Sequence, residues 1–61
     1  MSRTFTFRFY FTHVVGVYTK YPHNASDIRD VEAENYTQAE KIFRMITASF
    51  TDVKITHWEN I

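Results

Sequence analysis

Arg3-Thr4-Phe5-Thr6-Phe7-Arg8-Phe9-Tyr10-Phe11-Thr12 puts a phenylalanine at every odd position from 5 to 11, with Thr, Arg or Tyr between. Side chains alternate faces along a β-strand, so as a strand this stretch has one face of benzyl rings and one largely polar face. A helix would scatter the same rings around its circumference. The stretch therefore predicts a strand with one buried side, and the remaining chain must supply the cover.

Read outward, the odd-position pattern continues through His13, Val15 and Val17. This predicts a first strand extending to residue 18, with Gly16 as a bulge. A break near His13 would instead make two shorter strands. Tyr21-Pro22-His23-Asn24-Ala25-Ser26 reads as a loop, because Pro lacks a ladder N–H and Asn and Ser bond to their own backbone. A second strand is expected at 28–34, with Val31 and Ala33 facing one way and Asp30, Glu32 and Glu34 the other.

Asn35 then offers a helix N-cap, and Gln38, three residues on, can reach back to complete a capping box. Tyr36, Ala39, Ile42, Phe43, Ile46 and Phe50 recur at helical spacing, while Glu40, Lys41 and Arg44 lie off that stripe. Thr51-Asp52 ends the segment. Val53, Ile55 and His57 alternate with Lys54, Thr56 and Trp58, predicting a last strand at 53–59.

The expected fold is a single α+β domain over 1–61, in the order β-β-α-β. One helix packs on one face of a three-stranded antiparallel sheet, four-stranded if the first strand breaks. A right-handed crossover sets the last strand beside the first, in the spatial order 2-1-3.

Composition narrows the function. A chain of 61 residues buries only roughly 60% of its unfolded surface and has a marginal core. It has no Cys, so disulfides and thiolate metal sites are excluded, and aromatics at 18% must fill the interior. A homodimer is a further way to cover apolar surface. Seven acidic and seven basic residues cancel, which leaves little charge for sequence-independent phosphate binding. No apolar run resembles a signal-peptide core or approaches ~18 residues, so a soluble, cytoplasmic protein without membrane attachment is expected. The triplets Asn24-Ala25-Ser26 and Asn35-Tyr36-Thr37 are read as chance matches to the glycosylation pattern.

Catalytic patterns are missing. His13, His23 and His57 lack the close spacing of zinc ligands, and the single Gly excludes a glycine-rich phosphate loop. Ser2, Ser26 and Ser49 sit in no nucleophile context. Asp27, Asp30, Glu32 and Glu34 read as a solvated face, with Arg8 as a cross-strand partner. No catalytic residue, metal or cofactor is assigned, and a non-enzymatic role is expected. An enzyme's one foothold would be a meeting of His13 with His57 on the helix side.

Strand phase places Arg8, Tyr10, Tyr18, Lys54 and Trp58 on the uncovered sheet face. Tyr, Trp and Arg are frequent anchors of protein interfaces, so these five are the candidate partner-binding residues. Arg8, Tyr10, Lys54 and Trp58 also suit a single-strand nucleic-acid platform, with rings stacking on bases and cations meeting phosphate. The acids of the second strand oppose that alternative.

Val31-Glu32-Ala33-Glu34-Asn35-Tyr36-Thr37-Gln38-Ala39-Glu40-Lys41 resembles the strand-to-helix junction of very small phage-encoded ββαβ proteins, some anti-CRISPR inhibitors among them. The likeness covers about residues 28–59 and carries no site residues. It implies a phage or mobile-element protein that occupies the surface of a host defence or nucleic-acid-processing complex in the host cytoplasm.

Overall fold

The computed structural model describes residues 3–61. Three strands, β1 (Phe5–Val15), β2 (His23–Ala33) and β3 (Thr51–Asn60), form one antiparallel sheet in the order β2-β1-β3. Helix α1 (Tyr36–Ile46) joins β2 to β3. The domain is a small α+β unit of order β-β-α-β, with the Phe-bearing strand central.

The core is the rings of Phe7, Phe9 and Phe11 under α1, together with Val31, Ala33, Ala39 and Phe43, all buried. Phe43 packs on Phe9 at 4.8 Å and edge-on to Phe11 at 5.0 Å between ring centroids. Phe5, at 44% exposure, lies at the sheet's end and contributes less. Ala33 and Ala39 are small enough to let the helix backbone come close to the sheet.

The first strand is continuous past His13, so no fourth strand forms among the described residues, but it stops at Val15 and not at 18. Gly16 is no bulge. Its φ of +72° opens the hairpin turn, which Thr19 closes by donating both its N–H, at 3.0 Å, and its hydroxyl, at 2.7 Å, to the Gly16 carbonyl. The second strand begins at His23, five residues earlier than 28. Asn24, Ala25 and Ser26 pair with Val14, His13 and Thr12 in unbroken register, and this ladder overrides their turn preference.

The N-cap forms as expected, with Asn35 Oδ1 accepting the N–H of Gln38 at 2.9 Å. Gln38 reaches one residue further back than a capping box does, accepting the Glu34 N–H at 2.7 Å. The helix ends at Ile46, so Phe50 covers the core from the following turn. Thr47 replaces the missing C-cap glycine: its buried hydroxyl donates to the Phe43 carbonyl at 2.7 Å.

Strand β3 starts at Thr51, ahead of residue 53, and is irregular. Against β1 the register runs Phe9↔Trp58, Tyr10↔His57, then Phe11↔Ile55, which leaves Thr56 as an extra residue. A second shift lies between Thr12↔Lys54 and Val14↔Thr51, where Asp52 adopts a φ of +52°. Each bulge reverses the face of the residues beyond it.

Candidate protein-binding surfaces

The uncovered face is centred on Thr6, Arg8, Tyr10, Thr12 and Val14 of β1. Arg8 donates to Asp30 through Nε at 2.9 Å and Nη2 at 3.2 Å, a bidentate pair across β1 and β2. Glu59 faces Arg8 from β3. The Tyr10 hydroxyl donates to Glu59 Oε1 at 2.8 Å, and the His57 ring lies 5.3 Å from the Tyr10 ring. Arg8 holds the Asp30 carboxyl below its usual range, chiefly by that hydrogen bond. The Glu59 carboxylate raises the Tyr10 phenol, with lost solvent adding to the effect. Beside Tyr10, a shallow cleft of about 420 Å³ is bordered by Ser26, Ile28 and Thr56.

The five sequence-predicted residues do not share a surface. Arg8, Tyr10 and Lys54 lie on the open face, where Lys54 stands opposite Thr12. Tyr18 sits fully exposed in the hairpin turn at the far end of the sheet. Trp58 is on the other side. The extra residue at Thr56 turns it toward the helix, where its indole meets Tyr36 at 4.7 Å and Phe7 at 5.9 Å. The same shift sends His57 to the open face. His13 stays on the helix side, stacked on Phe50 at 4.5 Å, so the two histidines do not meet. Among the described residues no cluster of three or more His, Asp or Glu could hold a metal ion. No helix among them is long and apolar enough to cross a membrane.

A second surface escaped sequence reasoning. Only Glu34 and Asn35 separate β2 from α1, so the helix starts close above β2. It lies over β2 and β1, and none of its Cα atoms comes within 8 Å of one in β3. A groove of about 590 Å³ is left between them. Val53, Ile55 and Trp58 line it from the strand, and Tyr36, Glu40 and Arg44 from the helix. The Tyr36 hydroxyl donates to Glu40 Oε2 at 3.2 Å, and burial raises its phenol above the ordinary value. Trp58 remains 43% exposed. Helical spacing put Glu40, Lys41 and Arg44 off the apolar stripe, but nothing in the sequence signals the bulge that brings Trp58 to face Glu40 and Arg44.

The arrangement defines a small α+β domain with a helix set off-centre on a three-stranded sheet. No family model, curated protein or solved structure matches this chain.

Proposed function

We propose that this chain is a non-enzymatic protein-binding module, and that its partner protein inserts an apolar side chain beside Trp58 in the groove between α1 and β3. The observation carrying this reading is the half-open indole of Trp58, left uncovered because α1 sits over the opposite half of the sheet. Val53 and Ile55 give the groove an apolar floor, while Glu40 and Arg44 place opposite charges on its rim. Interfaces concentrate binding energy in Trp, Tyr and Arg that the partner desolvates, and rim charges select the partner. The nucleic-acid alternative draws less support. Arg8 is already neutralised by Asp30 and faces Glu59, and Trp58 lies on the other side of the sheet from Arg8, Tyr10 and Lys54. The narrower role, a phage or mobile-element inhibitor of a host complex, rests on the junction at Val31–Lys41 alone.

Trp58 is the chain's single tryptophan and reports on the groove directly. Ligands selected from a displayed random-peptide library on the immobilised chain should change its fluorescence saturably. Trp58→Ala, followed by surface capture, and Tyr36→Ala should each weaken them tenfold or more, about 1.4 kcal/mol. Tyr10→Ala should leave them unchanged. Selected ligands that bind Trp58→Ala as well as wild type, or that depend on Tyr10 instead, would sink the reading. A selection yielding no ligand would sink it too.

A further inference from the structure

The edge of the sheet far from that groove has its own organisation. β2 is a free edge strand of 11 residues that pairs with β1 without a register shift, whereas β3 is bulged twice. Bulges protect an edge from further pairing, so β2 is the edge competent to add a strand.

Its outward groups can be identified. The Ile28 N–H donates to Asp27 Oδ1 at 2.8 Å, and Arg29 Nη1 donates to the Ile28 carbonyl at 2.8 Å. Ile28 therefore turns its N–H and C=O away from β1. By strand alternation Asn24, Ser26, Asp30 and Glu32 do the same. Asp27 and Arg29, themselves paired at 2.9 Å, cap the edge at its midpoint.

We propose that two copies of this chain pair through their β2 edges, antiparallel, about a two-fold axis at Ile28. Ile28 is the central residue of His23–Ala33, so this register uses the strand's whole length. Ile28 meets Ile28 of the second copy, Ser26 meets Asp30, and Asn24 meets Glu32. Every outward-facing residue then finds another, giving roughly ten main-chain hydrogen bonds. On the helix side Asp27 comes opposite Arg29 and Ala25 opposite Val31, so the two ion pairs that cap the lone edges, one in each copy, are exchanged for two between copies. No acid opposes an acid. Centring one residue earlier would set Asp27 against Asp27, and one residue later Arg29 against Arg29. The neighbouring registers are thus disfavoured by charge.

The helix leaves room for this pairing. Its 11 residues span ~16 Å against ~36 Å for β2, and on β2 it buries only Val31 and Ala33. In the antiparallel pair the two helices fall over opposite halves of the joined strands. At 100° per residue, Ile42 and Ile46 occupy the flank of α1 opposite Glu40 and Arg44, and so overhang the β2 edge. Ile46 is 50% exposed and Ile28 48%, apolar surface that the second copy would cover. The groove beside Trp58 lies at the other edge and stays open in both copies, so this pairing stands or falls apart from the proposed function.

The chain has no cysteine, which makes the register directly testable. Hydrogen-bonded antiparallel partners lie about 5.5 Å apart at Cα, within disulfide range. Ile28→Cys should oxidise to a covalent dimer, whereas Glu32→Cys, opposite Asn24 of the second copy, should not. By light scattering, Asp27→Arg and Arg29→Asp should each raise the dimer dissociation constant at least tenfold. Mixing the two variants should restore association, because each then supplies the charge the other lacks. A wild-type chain that stays monomeric into the millimolar range overturns the proposal. So does a dimer indifferent to both charge variants, or equal oxidation of the two cysteine variants.

Discussion

Trp58 stands directly opposite Phe9 across the β1–β3 ladder, on the helix side of the sheet. Strict alternation from Ile55 would have sent it to the other side. One unpaired residue, Thr56, makes the difference, and its hydroxyl is tied to the Tyr10 carbonyl at 3.0 Å. The placement joins Trp58 to Tyr36 and Phe7, so the aromatic core runs past the edge of α1 and ends in a half-open indole.

The rings at the centre of that core should be indispensable. Phe→Ala in a core costs about 3–5 kcal/mol, and a domain this small rarely holds more than ~3–5 kcal/mol in total. Phe9→Ala and Phe43→Ala should therefore be largely unfolded by far-UV circular dichroism at 25 °C. Phe5→Ala, at the exposed end, should fold and unfold cooperatively in urea. A cooperative Phe9→Ala with near wild-type midpoint would contradict the core assignment.

The helix entry is held by two side-chain bonds, Asn35 to the Gln38 N–H and Gln38 to the Glu34 N–H. Asn35→Ala should cost about 0.5–2 kcal/mol, and Asn35→Asp or Asn35→Gly far less, because both remain good at this position. Urea midpoints of the three variants give the ranking, and an equal loss for all three would rule out capping as the cause.

Among the described residues two occupy left-handed backbone, only one of them a glycine. At Gly16 an added Cβ would come within 2.9 Å of Thr19 Oγ1 and 3.3 Å of the Tyr21 carbonyl, at a φ of +72°. Gly16→Ala should destabilise by about 1–2 kcal/mol. Asp52 sits at +52° with a side chain, so Asp52→Gly relieves a similar strain against about 0.5–1 kcal/mol of added backbone freedom. A net gain of about 0.5–1 kcal/mol in thermal or urea unfolding is expected. Loss of stability on Asp52→Gly would mean that its carboxylate does more than occupy the bulge.

Strong acid should dissolve the Arg8–Asp30 pair on the open face. The folded pKa of Asp30 is lowered, chiefly by the Arg8 hydrogen bond, so its stabilising contribution is full above the unfolded carboxyl value of about 3.9. It is lost as pH falls through the lower folded value. Carboxyl NMR titration should find Asp30 depressed in wild type and returned upward in Arg8→Met. Asp27, depressed chiefly by the Ile28 N–H, should not respond to Arg8→Met. An Asp30 titration unmoved by Arg8→Met would dissolve the pair.

Much of this architecture is written locally. Alternating phenylalanines from 5 to 11 commit the central strand and its buried side, because a period of two has no other low-energy reading. Asn35 and Gln38 mark the helix start through bonds made within four residues. The apolar stripe Ala39, Ile42, Phe43 supplies the cover. Strand order follows from the sequence of elements, since a crossover helix must return the chain beside β1.

What tertiary structure alone decided concerns surfaces. Asn24–Ser26 became strand because β1 was long enough to pair with them. α1 settled over β2 because a two-residue link gave it little choice, and that offset opened the groove beside β3. Above all, the spare residue at Thr56 exists only relative to β1. Register is a relation between strands, so no local pattern in β3 could announce that Trp58 and His57 would exchange sides.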